Sequence, residues 1–223
     1  MGGMSEQIAP TDRTRLRRLP QRGVFDRAVI EAILDEGLIC HVSFCDEAGR
    51  PCVLPTGYAR DGGRLLLHGS RKNAALLAAL SSEMTVCVTL LDGLVLARSA
   101  FHHSFNYRSV VLYGRPVEVT DRAEKLAALE RIVEHIVPGR AAGSRPPNDK
   151  ELDATLVAAL PIDEVSAKVR TGPPKDDEED MDLGFWAGVI PVRLDAAPGE
   201  PAPDLPAGIE PPEYVRRYRR AIS

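Results

Sequence analysis

Residues 66–73 read Leu66-Leu67-His68-Gly69-Ser70-Arg71-Lys72-Asn73, an apolar strand that gives way to a helical pattern carrying a hydroxyl and two cations at its start. The first turn of a helix has unpaired N–H groups and a partial positive charge, which together suit a phosphate. Ser70 can donate from its hydroxyl, Arg71 can grip two oxygens and Lys72 can add a point charge. Acids, not bases, normally favour this end of a helix, so Arg71 and Lys72 oppose the dipole unless an anion sits there. Serine caps and surface arginines are common, so the same residues also read as an ordinary helix start. His68 ends the strand just before this turn, where its imidazole could reach a ligand held there or simply bond to backbone.

A second polar group opens the segment Phe105-Asn106-Tyr107-Arg108-Ser109-Val110-Val111-Leu112-Tyr113-Gly114. Asn106, Arg108 and Ser109 precede an apolar strand, and alone they read as a strand edge facing water. Other chemistry is poorly supported. His102 and His103 are adjacent, so on a strand they point to opposite faces and do not make a metal site. Cys40, Cys45, Cys52 and Cys87 form no CxxC pair and match no zinc spacing, so core thiols are expected. No serine–histidine–aspartate or paired-carboxylate set stands out.

The elements that must position these residues are short and turn-punctuated. Asp26 can cap a helix through Ile33 and Leu34, ended by Gly37. Leu38, Cys40, Val42 and Phe44 alternate onto one face of a strand. Asp46-Glu47-Ala48-Gly49 and Asp61-Gly62-Gly63 are turn chemistry, bounding strands from Arg50 towards Tyr58 and from Arg64 to His68. A helix from Ser70 shows Leu76, Leu77 and Leu80. Val86 to Ala97 is strand-like around Asp92-Gly93, and Tyr107 to Val119 is a long strand whose Gly114 suggests a bulge or close approach. Asp121-Arg122-Ala123-Glu124 has the form of a capping box opening a helix that ends near Pro138-Gly139. Arg140 to Pro147 reads as loop, Ala154 to Ala167 as sheet, Lys175 to Asp182 as a solvated acidic loop, and Trp186 to Leu194 as a last strand. Many short strands with few helices predict a mainly β fold with flanking helices, an antiparallel barrel. The lack of a GxGxxG or Walker A motif after any strand argues against doubly wound alternatives.

In this order the motifs resemble the pyridoxamine 5'-phosphate oxidase superfamily, whose fold is the FMN-binding split β-barrel. There a strand-to-helix Ser-Arg-Lys clamps the flavin phosphate, matched by Ser70-Arg71-Lys72. A later strand opens with Arg and a hydrogen-bonding residue and runs through apolar residues to Gly. Arg108 to Gly114 is similar, with Ser109 in place of the more usual Gln. Trp186-Ala187-Gly188 looks like a Trp-x-Gly that touches the cofactor in some members. Leu-His-Gly-Ser, Asn-Tyr-Arg-Ser-Val and Trp-Ala-Gly-Val-Ile-Pro look closest to the nitroimidazole-resistance-like branch, in which a histidine at the position of His68 lies beside the flavin. The resemblance covers roughly residues 25–195. It implies FMN as cofactor, held by His68, Ser70, Arg71, Lys72, Asn106, Arg108, Ser109 and Trp186, with His68 as the candidate catalytic group and no metal. It implies a homodimer with flavin at the subunit interface and an oxidoreductase acting on a small molecule or electron donor. The C-terminal arginine and histidine segment of the oxidases proper has no counterpart at Asp195-Ala196-Ala197-Pro198-Gly199, which argues against pyridoxamine phosphate as substrate. Two rivals are a flavin store or sensor without turnover, and a haem-binding split barrel in which a histidine ligates iron.

The 223 residues, 44% hydrophobic, suit one domain over residues 23–195 between an arginine-rich arm (1–22) and a proline-rich tail (196–223). A net charge of -4 argues against nucleic acid, although arginines crowd both ends, from Arg13 to Arg22 and from Arg216 to Arg220. The start, Met1-Gly2-Gly3-Met4-Ser5-Glu6, has no apolar signal region and no myristoylation pattern, and no run is long enough to span a membrane. A cytoplasmic location is the resulting expectation.

Overall fold

The computed structural model describes residues 6–219. The reading of the first five residues and of Arg220 lies outside the described residues. The strands are β1 (Gly23–Val24), β2 (Ile39–Cys45), β3 (Pro51–Asp61), β4 (Arg64–Ser70), β5 (Met84–Leu96), β6 (Ser104–Gly114), β7 (Val117–Glu118), β8 (Thr155–Pro161), β9 (Glu164–Arg170) and β10 (Gly188–Pro191). The helices are α1 (Arg27–Glu36), α2 (Ala74–Ser81), α3 (Arg122–Ile136), α4 (Asp149–Ala154) and α5 (Glu213–Arg216). Every strand pair among the described residues is antiparallel, in the order β1-β9-β6-β5-β2-β3-β4-β8-β7, with β10 added beside the far half of β5.

The split arises in β3. Residues 51–57 pair with β2, whereas Tyr58, Ala59, Arg60 and Asp61 pair with β4, so one strand crosses from one sheet to the other. Alternation then sorts the side chains. Leu65 and Leu67 of β4 enter the barrel interior with Cys40, Val42, Val86, Leu112 and Leu160, while Leu66 points the other way beneath Ala128 and Ile132 of α3. The interior carries few polar atoms, and those present are bonded: Tyr58 Oη donates to the Leu34 carbonyl at 2.7 Å. A Cβ on Gly37 would come within 2.5 Å of that hydroxyl, so the turn after α1 admits only glycine.

Most local expectations hold, with informative exceptions. Asp26 caps α1 by accepting from Val29 N, and Gly49 and Gly62 take positive φ in their turns. Asp121 caps α3, yet the reciprocal half of the box is absent because Glu124 turns to Arg64 instead; the complete capping box belongs to Asn148 and Glu151 on α4, which the sequence reading left unassigned. Gly114 ends β6 and approaches Leu160, and the bulge falls instead in β5 between Leu91 and Gly93, inside the strand expected around Asp92-Gly93. Cys40 alone of the thiols is buried. Cys45 lies an odd number of residues from it along β2 and so takes the outer face. The acidic loop is not wholly solvated, since the Asp176 carboxylate is buried against Arg98. The N-terminal arm is also packed: Ile8 joins the core and Arg13 pairs with Glu83 and Glu164.

Candidate functional site

The Ser70-Arg71-Lys72 segment forms the turn between β4 and α2 instead of the first helical turn. Ser70 still pairs with Thr155, and Arg71 N donates to the Ala154 carbonyl, so the chain cannot coil until that ladder ends. Asn73 then caps α2 by accepting from Leu76 N at 3.2 Å, while the Ser70 hydroxyl accepts from Lys72 N. Both cations therefore stand in front of the helix end and not within it, where Glu118 offsets the charge of Arg71 against the dipole. Arg71 pairs with Glu118 on β7. Beside it lies a pocket of about 210 Å3 reached also by Arg122 and Lys125. Lys125 is buried, donates to the Leu152 carbonyl, and has its pKa lowered chiefly by desolvation.

His68 sits on the α3 side of β4, in the same register as Leu66 and Ser70. It lines a pocket of about 580 Å3 whose walls include Leu126, Leu129, Val133 and Ile136 of α3 together with Pro146 and Pro147. Its imidazole is solvent-accessible but crowded by these walls, and desolvation lowers its pKa from 6.5. Desolvation alone causes this shift; the nearby cations Arg71 and Lys72 do not contribute to it. Arg145 stands at the rim, bidentate to Glu151.

The β6 group lies elsewhere, with three strands between it and β4 along the sheet path. Arg108 binds the Glu36 carboxylate at 2.6 and 2.8 Å and that of Asp92 at 2.8 and 3.0 Å, which raises its pKa and commits its donors. Glu36 and Asp92 gave no signal in the sequence because they come from α1 and from the β5 bulge. Asn106 is buried, donates to the Gly172 carbonyl and accepts from Arg170. Ser109 faces the outer side and bonds weakly to the Lys168 carbonyl. Trp186 is exposed next to Gly188 at the start of β10. Within one chain, then, the structure does not bring the eight residues together. It places Ser70, Arg71 and Lys72 at one turn, His68 on a neighbouring wall, and the β6 residues and Trp186 apart from both.

A family model described as pyridoxamine 5'-phosphate oxidase matches residues 26–169, the barrel from the cap of α1 to β9. The chain belongs to this family. Among solved structures of similar fold, the flavocytochrome Anf3 from Azotobacter vinelandii is 42% identical, with a TM-score of 0.89 over 96% of this chain and 100% of that one. A FAD and haem binding protein from Mycobacterium smegmatis is 36% identical, with a TM-score of 0.84 over 87% and 96%. A 5-nitroimidazole antibiotic resistance protein from Bacteroides thetaiotaomicron shares the fold at 24% identity, TM-score 0.55, over 66% and 86%. No curated protein sequence matches significantly.

Two features of this pyridoxamine 5'-phosphate oxidase family chain were not found by sequence reasoning. One is the wall that α3 and the 141–147 loop build over His68, because nothing in the spacing of α3 shows what it faces. The other is a pocket of about 660 Å3 at the opposite end of the motif set, where Arg18 and Arg22 of the arm meet Arg170, Lys175 and the His102-His103 pair. The arginine-rich start was the available signal, but its destination was not legible. His102, Asp177 and Asp180 place ligand-type atoms within 4.8 Å of one another on the surface. Among the described residues no helix is long and apolar enough to cross a membrane.

Proposed function

We propose that the chain is a flavin-dependent oxidoreductase that also carries a haem, with His68 as the iron ligand. The observation that carries this reading is the His68 pocket. A deep apolar wall, one histidine held towards its neutral form and a guanidinium at the rim are the donor set that suits a haem. Relatives at 42% and 36% identity, described as a flavocytochrome and as a FAD and haem binding protein, support it. His68 then takes the iron instead of the flavin-side acid–base role that the family resemblance implied. Of the rivals, the haem-binding barrel is absorbed into this reading, and the flavin store is separated from it by turnover with a nitro-compound or quinone panel, which a store would lack.

Ser70, Lys72 and the open N–H groups of α2 would hold a flavin phosphate, and Arg71 would join them by exchanging Glu118 for the ligand. The flavin is proposed as FAD in place of the FMN that the motifs implied, in line with the 36% identical relative. When bound, flavin supplies hydride or single-electron transfer and haem supplies one-electron chemistry. The protein's share is binding, orientation and exclusion of water by the α3 wall. A homodimer is part of the proposal. Ile39, Val53, Leu91 and Phe105 share the outer face of the larger sheet by alternation, and all are exposed, so a second copy would cover an apolar surface there.

The test is the visible spectrum of the purified chain and of His68→Ala. The expected result is a Soret band together with flavin absorption in the wild type, and flavin alone in the variant. A wild type showing flavin without a Soret band after haem addition would overturn the haem half and favour the store or a simple flavoenzyme. A haem spectrum untouched by His68→Ala would remove His68 as ligand. Sedimentation at micromolar concentration should show twice the 24.2 kDa chain mass.

A further inference from the structure

The pocket between the arm and β9 gathers cations that have no carboxylate partner among the described residues. Arg18, Arg22, Arg170 and Lys175 all line it, no carboxylate does, and among the described residues none of the four forms an ion pair. Several arginines elsewhere do have a carboxylate, among them Arg13, Arg60, Arg64, Arg71, Arg108, Arg122 and Arg145. Arg170 is only 8% exposed, and its acceptors are neutral: Asn106 Oδ1 and the carbonyls of Gly172 and Pro173. A buried guanidinium without a carboxylate is costly unless a ligand supplies the missing charge. Burial, and after it the charge of Arg22, lower the Arg170 pKa.

Two further features point the same way. Leu19, at the lip, is the one non-glycine residue with positive φ among the described residues, at 56°. It turns the chain so that Arg18 and Arg22 both reach the pocket, a strain of the sort found at ligand sites. Phe101 borders the same cavity, is 88% exposed and meets His102 edge-on at 5.2 Å, leaving a bare aromatic face beside the cations. A lone phosphate would use neither the volume of about 660 Å3 nor that ring.

We propose that this pocket binds an adenosine diphosphate moiety, its pyrophosphate on Arg18, Arg22, Arg170 and Lys175 and its base against Phe101. The inference rests on the flavin reading only for the source of the moiety. Two sources share this chemistry: the adenylate tail of FAD, whose single pyrophosphate would then lie here and not at the Ser70–Lys72 turn, and the matching half of a reduced nicotinamide dinucleotide that would donate electrons.

Calorimetric titration of the full chain with ADP, pyrophosphate and adenosine tests the site directly, and does so whether or not the chain takes haem or flavin. ADP should bind well above adenosine. Arg22→Gln and Lys175→Gln, both at the pocket rim and outside the core, should each weaken ADP by about ten- to a hundredfold while leaving adenosine and the melting temperature nearly unchanged. Phe101→Ala should weaken ADP and adenosine alike, and pyrophosphate not at all. If the source is FAD, Arg22→Gln weakens FAD by the same factor and spares FMN. If the source is the donor, FAD and FMN are spared and NADPH is weakened. ADP binding no tighter than adenosine, or ADP affinity unchanged in both charge variants, overturns the proposal.

Discussion

Two pockets of similar size lie on this barrel and differ in almost every chemical respect. The His68 pocket, about 580 Å3, is walled by leucines, valine, isoleucine and prolines, and its single imidazole is pushed towards neutrality by desolvation. The arm pocket, about 660 Å3, is walled by four permanent cations and is built partly from a segment outside the matched barrel. The first is made by α3 packed over β4 and closed by the 141–147 loop, with its apolar residues continuous with a core cluster. The second is made by irregular chain, the strained turn at Leu19 and the loop at 99–103 meeting the end of β9. The difference shows how one small barrel can offer an apolar-walled site and a charged site at once. Sheet alternation and a covering helix gather apolar side chains on one face, while loops at the strand ends can gather charge because solvent reaches them.

The sharpest way to break this contrast is to remove one residue from each pocket and read both ligands. His68→Ala is expected to abolish the Soret band and leave ADP affinity within twofold. A loss of ADP binding in that variant would mean the pockets are not independent. Arg22→Gln should do the reverse, costing about ten- to a hundredfold in ADP affinity with the haem spectrum intact.

A smaller effect separates the proposed flavin turn from both pockets. Arg71 already has Glu118, and an exposed pair of this kind is worth only about 0.2–1 kcal/mol to disengage. Arg71→Ala should therefore weaken flavin phosphate by about tenfold relative to riboflavin, and Glu118→Gln should strengthen it by a few-fold, both read by fluorescence titration. Equal effects on flavin phosphate and riboflavin would assign Arg71 to the fold alone.

The smallest expected effect is in pH. Because the folded His68 pKa lies below 6.5, the folded state holds fewer protons than the unfolded chain once the pH falls to that value. The stability tied to neutral His68 is thus full above pH 6.5 and declines as the pH falls through the folded pKa, and any iron ligation weakens in the same direction as protons compete for the nitrogen. Melting curves of the haem-free chain between pH 7 and pH 5 should fall more steeply for wild type than for His68→Asn. Parallel curves would show that His68 is not desolvated in the folded protein.

The strand and turn pattern was legible because it depends on neighbours in sequence. Alternation at Cys40, Val42 and Phe44, glycines at positive φ in the turns and aspartate caps at Asp26 and Asp121 all act over a few residues, and the structure has each of them. The family motifs were legible for the same reason, as short ordered strings along one chain. What the sequence could not show was where those strings go once the chain closes. Ser70 stays in the ladder with Thr155 and pushes the start of α2 to Ala74, Arg108 spends its donors on Glu36 and Asp92, and the arm lays Arg18 and Arg22 beside Arg170. Each of these outcomes joins residues tens of positions apart, and no local propensity encodes them. Composition and spacing determined a mainly antiparallel barrel with a cationic turn. Only packing across the strands decided which cations are neutralised by carboxylates and which are left for a ligand, because a charge is satisfied by whatever the fold brings within hydrogen-bonding distance and not by its neighbours in the chain.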